Sequence, residues 1–144
     1  MLRLTKKADY GLIAVKHLAE LRSASAKEIA HCYAIPLPVL AKVLQQLARQ
    51  GLLESTHGTN GGYRLARDPR NITALQVIRA IDGPTILTSC STHGGDCDQA
   101  GRCNVRAPLR KIQQGILQLL DSITISEMRE EPERAERFQV LSAK

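Results

Sequence analysis

The sequence is poor in aromatic residues. They occupy 3% of its 144 positions, with one Phe and no Trp. That excludes the stacking platforms on which single-strand binders lay out bases. No apolar run approaches the roughly 18 residues of a membrane span. The charges in Met1 to Lys7 are not followed by the apolar stretch of a secretory signal. A cytoplasmic protein with no membrane partner is the expectation. Paired carboxylates, a Ser-His-Asp set and a phosphate-cradling glycine loop are all missing. No catalytic constellation is legible, so an enzyme is not expected. What is present is ample apolar material, 43% of the residues, in a length suited to one domain or a small domain with an appendage.

Charge is distributed unevenly. Residues 1–70 hold 11 Lys and Arg against 5 Asp and Glu, whereas residues 71–144 hold 9 of each. The whole net charge of +6 therefore lies in the first half. A basic N-terminal module that binds a polyanion follows, with a C-terminal half built for something else.

Helical signals come first along the chain. Thr5 caps a helix over 5–21, with Leu12, Val15, Leu18 and Ala19 on one face. Ser25 and Glu28 form a capping box that opens a second helix to about Cys32. After the turn Tyr33-Ala34-Ile35, Pro36 and Pro38 suit the first turn of a third. Leu40, Val43, Leu44 and Leu47 give that helix an apolar stripe; Lys42, Gln45, Gln46 and Arg49 give it a polar one. Gly51 stands where a C-terminal cap belongs. Two short strands, 52–55 and 63–65, flank the glycine-rich loop from Thr56 to Gly62. Thr73 and Gln76 cap a fourth helix to about Ile81, and Gly83-Pro84 breaks it. Asn104 is the expected cap of a long helix to about Ser122, with Leu109, Ile112, Ile116, Leu119, Leu120 and Ile123 as its apolar positions. A stripe that long suits packing against a second copy or against the chain itself. His17 and His31 read as surface or boundary residues, and Cys32 as a small buried hydrophobe.

Three helices and a glycine-tipped hairpin describe a winged helix-turn-helix, in a fold that is mainly α with a small β wing. Its third helix enters the major groove of double-stranded DNA. Pro38, Ala41, Lys42 and Gln45 are the expected base readers, with Gln46 and Arg49 nearer the backbone. The wing offers His57, Thr59 and Asn60. Lys6, Lys7, Lys27, Arg64 and Arg67 are candidates for phosphate, which supplies affinity and salt dependence without choosing a sequence.

Residues 89–104 are loop formers apart from their cysteines and could not bury enough apolar surface to order themselves. Cys90, Cys97 and Cys103 lie within 14 residues, with gaps of six and five. In a reducing compartment that cluster points to metal or redox chemistry. Thiolates hold soft metals and iron–sulfur clusters. The C-x2-C knuckle of structural zinc sites is absent, yet His93 completes C-x2-H-x3-C-x5-C, so zinc stays open.

The stretch from Leu2 to Tyr10 (LRLTKKADY), that from Gly51 to Tyr63 (GLLESTHGTNGGY) and three cysteines ahead of a long helix resemble the IscR/NsrR-type winged-helix iron–sulfur regulators across residues 1–128. The opening residues are most similar to regulators of the SUF iron–sulfur assembly operon. The resemblance implies a homodimer whose long C-terminal helices cross at the interface. It implies an iron–sulfur cluster on Cys90, Cys97 and Cys103, whose state tunes affinity for an operator, by repression as the default. The genes implied serve iron–sulfur assembly or a related iron, redox or nitric-oxide response. Arg106 stands where IscR-like members supply a ligating histidine. Asp9 occupies the place of the acidic residue that NsrR-like members recruit from the partner's first helix, which makes it the leading candidate for fourth ligand, with His93 next. His57 replaces the arginine with which IscR enters the minor groove. The sequence does not fix the cluster type, 2Fe–2S being preferred to 4Fe–4S. On this view the chain divides into a DNA-binding domain (1–70), a cluster loop with dimerisation helix (71–128) and a charged tail (129–144). A winged-helix regulator with structural zinc, or a cluster carrier without specific DNA binding, are the alternatives.

Overall fold

The computed structural model describes residues 3–59, 61–88 and 97–129. Helix α1 (Lys6–Glu20) starts where Thr5 Oγ1 accepts from the Ala8 N–H at 3.1 Å. The same hydroxyl donates to the Asp82 carboxylate at 2.7 Å, tying the start of α1 to the end of α4 (Ala74–Asp82). Helix α2 (Ala26–Tyr33) opens on the Ser25–Glu28 capping box. It ends with Ala34 in the left-handed region, φ 52°. Helix α3 (Leu37–Arg49) follows Pro36, with Pro38 in its first turn. It closes on Gly51, φ 77°, where Leu52 N–H donates to Leu47 O and Gly51 N–H to Ala48 O, both at 3.0 Å. This is the paired-bond cap that a left-handed glycine permits.

The wing is one antiparallel pair, β1 (Leu53–Thr56) and β2 (Gly62–Leu65), in register from Leu53 opposite Leu65 to Thr56 opposite Gly62. Tyr63 and Ala24 exchange two backbone hydrogen bonds, so the segment before α2 adds a third edge. Gly62 allows this approach: a Cβ there would sit 2.7 Å from the Ala24 carbonyl oxygen.

The apolar stripe of α3 lies in the core, with Leu40, Leu44 and Leu47 at 0% exposure and Val43 at 1%. Each contributes about 1.5–3 kcal/mol relative to an exposed position. They meet Val15 and Leu18 of α1, Ile29 of α2, and Ile72, Val77 and Ile81 around α4. The boundary expected at residue 70 is therefore not a boundary of the core.

The long helix α5 (Arg106–Ser122) behaves differently: no residue in it is buried. Asn104 does not cap it; Val105 holds the cap position without a side-chain bond. The chain then returns to the core. Ile125 N–H donates to Ile72 O at 2.8 Å and Ala74 N–H to Ile123 O at 2.9 Å. Thr124 and Glu127 form a reciprocal capping box for α6 (Ile125–Arg129), and Ile125 is fully buried. Arg129, assigned to the charged tail, ends α6; the rest of that tail, 130–144, lies outside the described residues.

Two further expectations are corrected. His17 is 9% exposed, with Nδ1 2.8 Å from the Tyr33 hydroxyl and the rings edge-to-face at 5.3 Å. It faces the end of α2, which covers it. Burial pushes the Tyr33 hydroxyl pKa up, with smaller contributions from Cys32 and Glu20. Cys32 is exposed, because α2 presents Ile29 and Ala30 to the core and ends one residue after the thiol.

Candidate DNA-binding face and cysteine segment

Burying the apolar stripe of α3 turns its polar stripe outward. Lys42, Gln45 and Arg49 are exposed and have no hydrogen-bond or ion-pair partner among the described residues. Pro38 is exposed at the N-terminal turn and Ala41 is half-buried. Gln46 takes a different part: its Nε2 donates to Ile81 O at 3.1 Å, so it ties α3 to α4. The sequence reading missed Leu37, 41% exposed at the first position of α3. An apolar side chain at the tip of a groove-entering helix matches the thymine methyl group. Lys27, His31 and Leu37 line an open groove of about 600 Å³ between α2 and α3.

On the wing, His57 and Thr59 are exposed at the tip, and Asn60 lies outside the described residues. Arg64 is not a free cation. It bonds Glu54, directly across the hairpin, through Nε and a terminal nitrogen, both at 2.9 Å. Lys6 pairs with Asp9 at 3.3 Å and lies 5.8 Å from the Tyr10 ring centre. Lys7 and Lys27 are exposed without an ion-pair partner among the described residues.

Cys97 and Cys103 are free, half-buried thiols separated by two tight turns, Ala100 N–H to Cys97 O and Arg102 N–H to Gln99 O, each at 2.9 Å. Cys90 and His93 lie outside the described residues. Cys103 lines a hollow of about 360 Å³ with Asn104, Arg106, Ala107 and Arg110. Two arginines one helical turn apart give the hollow positive charge, which suits an anionic metal centre. Among the described residues no three His, Cys, Asp or Glu side chains converge. Asp9 is therefore not brought to Cys97 and Cys103 within one chain.

Helix α5 carries an apolar seam that is only partly covered by the rest of the described residues. Val105, Ile112 and Leu119 recur every seven residues at 49%, 51% and 51% exposure. Leu109, Ile116 and Ile123, half-buried, fall between them at alternating steps of four and three. That is the a/d pattern of paired helices, extending over about 27 Å.

Comparison with known proteins places this geometry. The family model Rrf2, described as an iron-dependent transcriptional regulator, matches residues 4–131. The chain belongs to the Rrf2 family. Protein aau3 of Rhizobium meliloti (strain 1021) is 32% identical over 130 residues, covering 88% of this chain and 84% of that protein. The structure of CymR (YrzC), the global cysteine regulator of B. subtilis, is similar at TM-score 0.72 and 30% identity, over 90% of this chain and 97% of that one. T. potens IscR is similar at TM-score 0.68 and 30% identity, over 88% and 85%. As an Rrf2-family member the chain is a DNA-binding transcriptional regulator and not an enzyme. No helix among its described residues is long and apolar enough to cross a membrane.

Proposed function

We propose that this Rrf2-family chain is a homodimeric regulator whose affinity for its operator is set by an iron–sulfur cluster on Cys90, Cys97 and Cys103, completed by Asp9 of a second copy. The observation that carries this reading is the position of the cysteine segment. It feeds directly into α5, whose seam residues Val105, Ile112 and Leu119 are about half exposed. Residues that hold a metal there sit at the joint between the DNA-binding core and the dimer seam.

The donor set fits such a group. Thiols are soft ligands, the C-x2-C spacing of structural zinc is absent, and Arg106 and Arg110 surround Cys103 with positive charge. When bound, the cluster would supply a tie that forms or breaks with iron supply and oxidation. Asp9 would have to release Lys6 to serve as ligand, since the two pair at 3.3 Å. Because α1 packs on α3 and α4, a pull on Asp9 reaches the recognition helix through the core. Dimeric readers need two recognition helices spaced to the helical repeat of DNA, so a small rotation changes affinity strongly. Repression of iron–sulfur assembly genes, with a 2Fe–2S form, is the finer reading that the sequence resemblance favours. His93 is the other fourth-ligand candidate.

The test is fluorescence anisotropy on DNA from the protein's own promoter, with protein reconstituted anaerobically and after cluster removal. The proposal expects the two forms to differ at least tenfold in affinity. It also expects Asp9→Ala to shorten the lifetime of the iron chromophore without weakening DNA binding by the cluster-free form. Equal affinities would refute cluster control. An unchanged chromophore in Asp9→Ala would remove Asp9 as ligand.

A further inference from the structure

Three elements meet at a second place in the described residues: the C-terminal end of α3, the base of the wing and α4. They border an open cleft of about 220 Å³ lined by Gln50, Leu52, Arg67, Gln76, Arg79 and Ala80. Leu52 and Ala80 are buried; both arginines are exposed. Arg64 and Arg70, three residues either side of Arg67, are each bonded to a carboxylate at 2.9 Å. Arg67 and Arg79 have no such partner among the described residues, and no carboxylate lines the cleft. Gln76 gives its Oε1 to the Thr73 N–H at 3.1 Å, which leaves its amide NH2 as a donor. The cleft is thus lined by two arginines and a glutamine amide, and by no carboxylate.

We propose that this cleft binds a small oxyanion, a phosphate or carboxylate group of a metabolite, as a second input to the regulator. Guanidinium forks match both groups through paired N–H donors. The space is smaller than the roughly 300 Å³ at which ordinary ligand pockets begin, so it takes an ion or a head group and not a dinucleotide. An anion held there bridges Arg67, just beyond β2, to Arg79 on α4. It ties the wing, which reaches DNA, to the helix that packs on α5. Occupancy therefore alters how firmly the wing is held relative to the dimer seam.

The experiment uses the full-length protein and an Arg67→Gln/Arg79→Gln double variant. Thermal melting is followed in sodium phosphate, in sodium malonate and in sodium chloride at matched ionic strength. The expected result is saturable stabilisation of the parent by phosphate, malonate or both beyond chloride, absent in the double variant. Which anion acts tells a phosphate from a carboxylate ligand. Arg79→Gln alone should raise the half-saturating concentration about tenfold, as expected for one charge-assisted hydrogen bond. Equal stabilisation by all three salts, or an unchanged response in the double variant, overturns the proposal. So does a double variant whose DNA affinity falls and whose salt dependence loses about two phosphate contacts, since the arginines would then serve DNA.

Discussion

Replacing Ile112 probes whether the α5 seam is a dimer interface. Ile112 is 51% exposed in one chain. Full burial of such a side chain contributes about 2 kcal/mol, so covering the remaining half contributes about 1 kcal/mol per chain. Two-fold symmetry counts the residue twice, and Ile112→Ala should weaken the dimer by about 2 kcal/mol, roughly 30-fold in dissociation constant. Ile112→Asp sets unpaired carboxylates against an apolar seam at a cost of several kcal/mol, which should leave monomer at low micromolar concentration. Sedimentation velocity reads the mass directly. Because α5 contributes no buried residue to the core, circular dichroism should show both variants folded. Operator affinity should fall with dimer content. An Ile112→Asp protein that keeps the parent's dimer mass at one micromolar would refute the assignment of this seam.

Ile125 is fully buried in the core; Ile125→Ala should cost about 2–5 kcal/mol in urea unfolding, and a loss under 1 kcal/mol would place α6 outside the folding unit. Ala34 occupies the left-handed region at φ 52°, so Ala34→Gly should raise stability by about 0.5–1 kcal/mol; a lower urea midpoint would contradict the strain. Hydrogen bonds from Arg70 hold the Asp68 carboxyl down to about 2. This pairing favours the folded state above the ordinary carboxylate range and is lost as pH falls through about 2. Carboxyl NMR titration should show that midpoint, moving up toward 3.8 in Arg70→Ala.

The DNA-binding core was legible because its signals are local. Thr5, Ser25 with Glu28, and Thr73 with Gln76 each cap the helix their spacing announces. The period of Leu40, Val43, Leu44 and Leu47 names the buried face of α3. What escaped depends on distant partners. Nothing near His17 predicts Tyr33, 16 residues on, as its hydrogen-bond partner. Gln46 looks like a DNA contact until Ile81 supplies a carbonyl. The capping box of Thr124 and Glu127 is local and readable, but the charge-rich residues after it masked a return to the core. Arg64 is a phosphate candidate by sequence, and its pairing with Glu54 escapes notice there because the glycine-rich loop does not fix the hairpin register. At the cysteine segment, spacing suggests thiol ligation of a metal, while the arginines that line one hollow with Cys103 became visible only once α5 brought Arg106 and Arg110 there.

The most direct test of the central claim is the metal content of the anaerobically purified protein, with its absorption spectrum. The account predicts a brown protein holding iron and acid-labile sulfide in similar amounts, and loss of both in Cys90→Ala, Cys97→Ala and Cys103→Ala. A colourless protein that carries stoichiometric zinc, or no metal after anaerobic reconstitution, would contradict it.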